Sequence, residues 1–103
     1  MCKKTNSNVD GTSFYDVTFK ASVQDLINAI GEPSYDGNTG VDKVNFEWAM
    51  ETGEGYVFTV YDWKECRVVD VNEIIEWHIG AKSKSISNVV KDELVKELYK
   101  HVE

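Results

Sequence analysis

Hydrophobic positions along the chain recur at two spacings, and the switches between them mark the elements. Tyr15, Val17 and Phe19 alternate with polar neighbours, the two-residue period of a short strand over Phe14–Phe19. From Ser22 the period lengthens. Val23, Leu26, Ile27 and Ile30 fall at i, i+3, i+4 and i+7, which predicts a helix over Ser22–Ile30. Ser22 and Asp25 stand at capping-box spacing at its start, and Gly31 followed by Pro33, the only proline, stops it. Tyr35–Gly40, rich in Gly, Asn and Asp, reads as a loop.

Alternation returns over Val41–Thr52, with Val44, Phe46, Trp48 and Met50 opposite Lys43, Asn45, Glu47 and Glu51. Gly53-Glu54-Gly55 predicts a hairpin turn and Tyr56–Trp63 the returning strand. Val57, Thr59, Tyr61 and Trp63 share one face of that strand; Tyr56, Phe58, Val60 and Asp62 share the other. Both faces are rather apolar, which predicts a central strand covered on both sides. After a charged connection over Lys64–Asn72, Glu73–Ile79 reads as a further strand with Ile75, Trp77 and Ile79 on one face. Ile86, Val90, Leu94, Leu98 and Val102, widened by Val89 and Val95, form the apolar stripe of a helix over Ser87–Val102. The expected class is α+β: a single domain, β-α-β-β-β-α, whose antiparallel sheet carries two helices packed on one face. Met1–Ser13 is polar and reads as a flexible N-terminal segment (1–13) ahead of the domain at 14–103.

A chain of 103 residues buries enough surface for one core without metals or disulfides. Its net charge of -7 argues against direct nucleic-acid binding, which calls for a basic stripe. The charge is uneven: eleven acids between Glu32 and Glu76 face only Lys43, Lys64 and Arg67, whereas five Lys meet four acids from Ala81 onward. An acidic central face and a mildly basic C-terminal face imply two surfaces, the first suited to a basic protein partner. Cys2 and Cys66 have neither metal nor disulfide-framework spacing, so both are expected reduced and unpaired in the cytoplasm. Met1-Cys2-Lys3-Lys4 ahead of a polar stretch also has the form of a mature lipoprotein start, although no apolar signal region accompanies it. No run approaches the ~20 apolar residues of a membrane span, and no membrane partner is expected.

Positive charge gathers at one place. The strand ending Trp77-His78-Ile79-Gly80 turns through Lys82, Ser83, Lys84 and Ser85 into a helix, which offers backbone N–H groups, ammonium groups and hydroxyls to an anion. It is not a P-loop, because the spacing and the second glycine are absent. Trp63 or Trp77 could stack on a ligand base, with Lys64 and His78 beside them. Each residue has a plainer reading: a solvated helix start, aromatic core packing, a hydrogen-bonded structural histidine. A meander puts the Tyr61–Lys64 segment and the Gly80–Ser85 turn at opposite ends of the sheet, and the sequence leaves open whether they form one site. As a catalyst His78 needs a partner; Asp62 and Cys66 fit no motif, and His101 lies near the C-terminus. No catalytic residue, metal or cofactor is expected.

The segments Asp42-Lys43-Val44-Asn45-Phe46-Glu47-Trp48, Phe58-Thr59-Val60-Tyr61-Asp62-Trp63-Lys64 and Glu76-Trp77-His78-Ile79-Gly80 resemble small proteins encoded by tailed bacteriophages, which pair a TVYDWK-like strand with a WHIG-like strand and a final helix. The resemblance spans Asp42 to Gly80 and carries no residue-by-residue activity. It implies a phage origin and a counter-defence role in the host cytoplasm. The leading expectation is a non-enzymatic protein, with homo-oligomerisation open to it, that sequesters an anionic, nucleotide-like small molecule as a sponge for immune signals. The alternative is an acidic inhibitor of a host defence enzyme or nucleic-acid-binding protein.

Overall fold

Ser22 ends the first long strand and starts the first helix. Its backbone is extended, at φ -89° and ψ 162°. Its hydroxyl accepts from the Asp25 N–H at 3.0 Å, and its own N–H donates to the Asp25 carboxylate at 3.4 Å, closing the capping box. Helix α1 therefore spans Val23–Ile30, and Gly31, at φ 90°, ends it with an N–H bond to the Ile27 carbonyl. The computed structural model describes residues 3–4, 11–37, 44–63 and 68–100.

Among the described residues six antiparallel strands accompany α1: β1 (Lys3–Lys4), β2 (Ser13–Ala21), β3 (Tyr35–Asp36), β4 (Phe46–Glu51), β5 (Val57–Tyr61) and β6 (Ile75–Ala81). Helix α2 follows at Lys84–Lys100. The order across the sheet is β1-β4-β5-β6-β2, with β3 also on the outer edge of β4. The domain is thus α+β, with β4-β5-β6 as the expected meander and β5 at its centre. Three elements differ from the expectation. Lys3–Lys4, within the expected lead-in, pairs with Met50 and Glu51; Tyr35–Asp36, within the expected loop, pairs with Phe46 and Glu47. Helix α2 begins at Lys84 rather than Ser87, because the Ser83 hydroxyl caps it by accepting from the Ile86 N–H at 3.1 Å. Cys2, Lys64, Cys66, His101 and Val102 lie outside the described residues.

The core lies between the helices and one face of the sheet. Val17, Phe19, Phe46, Trp48, Met50, Phe58, Val60, Ile75, Trp77 and Ile79 meet Val23, Leu26 and Ile30 of α1 and Val90 and Leu94 of α2. Trp48 and Trp77 pack edge to face, centroids 5.4 Å apart. The Trp48 indole N–H donates to the Gly31 carbonyl at 2.8 Å and the Trp77 indole N–H to the Ala21 carbonyl at 2.9 Å. The two rings therefore pin the two ends of α1. At the far end of the meander, buried Asp62 accepts from the Asn45 N–H at 2.8 Å, the Phe46 N–H at 2.9 Å and the Asn45 side-chain amide at 3.2 Å, tying the start of β4 to the end of β5.

A bulge shapes β2. Phe14 pairs with Gly80, but Thr18 pairs with His78, so β2 carries two extra residues, and Asp16 takes a left-handed φ of 63° within them. An even insertion preserves the alternation of faces, so Phe14 and Thr18 lie on the same side as Gly80 and His78.

Trp77→Phe keeps most of the ring packing but leaves the buried Ala21 carbonyl without its donor. It should cost about 1–3 kcal/mol in urea unfolding. An unchanged midpoint would show that the indole bond does not hold the start of α1.

Candidate functional site

The helices cover one face of the sheet, and strand register decides what meets on the other. Glu47 pairs with Tyr61, Tyr61 with His78 and His78 with Thr18; in the next row Ala49 pairs with Thr59, Thr59 with Gly80 and Gly80 with Phe14. An acid, a phenol and an imidazole thus stand side by side on three adjacent strands, at the ~5 Å spacing of cross-strand neighbours. Thr59, Tyr61, Glu47 and Gly80 form part of the lining of a concavity of about 340 Å³, and Gly11–Ser13, the approach to β2, line it as well.

Glycine at 80 makes this floor. A Cβ there would run into the Thr59 hydroxyl and would lie 3.6 Å from the Tyr61 ring and 3.7 Å from the Thr12 hydroxyl. Four rings cross the face beside it. Phe14 stacks on His78 at 4.3 Å, His78 lies 5.6 Å from Tyr61, and Trp63 meets Tyr61 edge-on at 6.2 Å.

The site has a distinct electrostatic character. Partial burial raises the Glu47 carboxyl from its ordinary value. The Tyr61 phenol is also pushed up, first by burial and then by the charge of Glu47. Tyr61 therefore stays a neutral O–H donor, and Glu47 is an acceptor with a reduced water shell. Together with His78 and Thr59, they can satisfy a polar ligand that presents N–H groups to the carboxylate.

Of the residues expected to bind a ligand, Gly80 lines this concavity, and His78 and Trp63 flank it through their ring contacts with Tyr61. Trp77 does not: next to His78 in the strand, it faces the core, fully buried against Phe46 and Trp48, and cannot stack on a ligand. The turn is also shorter than expected, since Gly80 and Ala81 belong to β6. The Ser83 hydroxyl is committed to the α2 cap, and its carbonyl accepts from the Ser87 N–H at 3.0 Å and hydroxyl at 3.1 Å. Lys82, Lys84 and Ser85 are exposed around that cap. Roughly 20 Å separates the Lys82 and Trp63 ends, taking ~3.3 Å per residue along β6.

Thr59 and Gly11–Ser13 are site residues that the sequence did not single out; it named Tyr61 only with Trp63 and Lys64, and Glu47 only on the acidic face. Alternation placed Glu47 and Tyr61 on strand faces, but only register makes them neighbours. The available signal was Gly80 itself, because a glycine inside a strand marks a close approach. Asp62 is no partner for His78, its oxygens being committed to Asn45 and Phe46. Among the described residues no three His, Cys, Asp or Glu side chains converge as metal ligands, and no described helix is long and apolar enough to cross a membrane. No family model, curated protein or solved structure matches the chain.

Because burial disfavours its charged form, Glu47 binds its proton more tightly in the folded protein than in the unfolded chain. That contribution is fully present below the ordinary carboxyl pKa and is lost as pH rises through the raised folded value. Relative to wild type, Glu47→Gln should therefore gain in thermal stability between pH 4 and pH 7. A relative loss over that range would contradict the assignment.

Proposed function

We propose that the protein is a non-enzymatic binding protein that holds a planar, nucleotide-like molecule on the open face of its sheet. The observation that carries this reading is the row Glu47–Tyr61–His78 beside the floor at Thr59 and Gly80. A concavity of about 340 Å³ is within the usual size of a small-molecule site. Glu47 restricts what can sit in it. A phosphate placed there would face a partly desolvated carboxylate, whereas a base edge with N–H donors would find an acceptor. The base therefore occupies the concavity, and the anionic end runs toward Lys82, two residues beyond Gly80. The phage resemblance of the TVYDWK-like and WHIG-like strands supports a role as a sponge for signalling nucleotides in the host cytoplasm.

A second reading has its own support. Glu51 and Glu76 share this face with Trp63, which is 41% exposed. Acids around an aromatic anchor suit a surface that covers a basic patch on a host protein.

Calorimetric titration with nucleosides, mononucleotides and cyclic nucleotides tests the first reading. At least one nucleotide should bind, and Tyr61→Ala and Glu47→Gln should each weaken it by about tenfold or more, the equivalent of one charge-assisted hydrogen bond. Lys82→Glu should weaken binding of the nucleotide but not of its parent nucleoside. Failure of every nucleotide to bind the folded protein, or indifference to Tyr61 and Glu47, would overturn the small-molecule reading. The inhibitor reading instead expects Glu51→Lys with Glu76→Lys to abolish inhibition of the host protein and Lys82→Glu to leave it intact.

A further inference from the structure

Strand β2 ends the sheet, and no strand among the described residues pairs with its outer edge. A groove of about 330 Å³ lies against that edge. Phe19, Lys20 and Ala21 line it consecutively. Successive strand residues point to opposite faces, so a cavity touching all three lies beside the strand rather than on either face. The opposite wall is one stripe of α2: Lys91, Val95, Leu98 and Tyr99, at i, i+4, i+7 and i+8. Asp25 also reaches the groove, where its carboxylate already accepts the Ser22 N–H of the α1 capping box. A strand edge, an apolar helical wall and two lysines thus line one groove.

We propose that this groove binds an extended, acidic peptide segment of a partner protein by adding it to β2 as a further strand. The peptide's apolar side chain enters between Phe19 and Leu98, and its carboxylates face Lys20 and Lys91. Backbone hydrogen bonds supply the affinity of such strand addition, and pockets for alternate side chains supply its specificity. Charge complementarity selects the occupant: in a chain of net charge -7, Lys20 and Lys91 outnumber Asp25 among the residues that line this groove. The bulge argues against a second copy of the chain. With Asp16 left-handed, the regular register on this side of the bulge runs only over Thr18–Ala21, long enough for a short peptide but interrupted for a full β2–β2 pairing. No residue of the groove belongs to the open-face site, so the two proposals fail independently.

Fluorescence polarisation with labelled heptapeptides tests this on the intact protein. The first probe alternates Glu with Val and Leu. The second replaces its Glu by Lys. The third keeps the acidic side chains but N-methylates alternate amides along one edge. The acidic peptide should bind. The Lys peptide and the N-methylated peptide should each bind at least about tenfold more weakly, and Lys91→Glu should reverse the charge preference. Amide exchange at Thr18–Ala21 should slow on binding. The proposal is overturned if the acidic peptide fails to bind, if N-methylation makes no difference, or if size-exclusion chromatography shows a β2-dependent dimer that peptide does not disperse.

Discussion

Two indole N–H bonds set the frame on which everything else rests. Trp48 and Trp77 come from β4 and β6, pack edge to face in the core, and donate to carbonyls at opposite ends of α1. A carbonyl buried at a helix boundary must find a donor, and an indole buried in a core must find an acceptor. The Trp77 bond to buried Ala21 answers both demands; the Trp48 bond answers the second, because Gly31 is exposed. The result fixes α1 along the sheet and commits these two positions to the helix side. Strand alternation does the rest: with Trp48 inside, Glu47 and Ala49 face out, and with Trp77 inside, Glu76 and His78 face out. The core and the open face are two consequences of one choice.

Register then assembles the open-face row. The Asp62 carboxylate holds the start of β4 against the end of β5, which places Glu47 opposite Tyr61. Gly80 lets the Thr59 hydroxyl occupy space that any side chain would take. The two-residue bulge in β2 keeps Phe14 and Thr18 on the same face as His78. Glu47 works against stability here, since its carboxylate gives up water without an opposite charge among the described residues to repay it. A partly desolvated acid beside a neutral phenol and an imidazole is the kind of local cost that accompanies binding sites, and it supports a ligand-binding reading of the row.

Much of this was legible in the sequence because alternation and capping act locally. The Ser22–Asp25 box and the Gly31 stop delimit α1, and the faces shared by Phe46, Trp48 and Met50 and by Ile75, Trp77 and Ile79 both turn out to be core faces. Trp77 could have been assigned to the core on the same ground, because it shares its face with two isoleucines. The start of α2 was ambiguous, since Ser83, Ser85 and Ser87 can each cap a helix; Ser83 does so, bringing Ile86 into the first turn. Two-residue strands at Lys3–Lys4 and Tyr35–Asp36 are too short to show a period. Cross-strand neighbours such as Glu47 and Tyr61 are set by pairing between distant segments, which no local pattern encodes.

Tryptophan quenching tests the two-faced account most directly. The chain has three tryptophans, and the structure buries Trp48 and Trp77 while leaving Trp63 41% exposed. Iodide should therefore quench one class of emission in the wild type, and Trp63→Phe should remove that class, leaving blue-shifted, quencher-resistant emission from the core pair. A Trp63→Phe protein whose emission remains readily quenched would contradict the account, because one of the indoles that pins α1 would then be open to water.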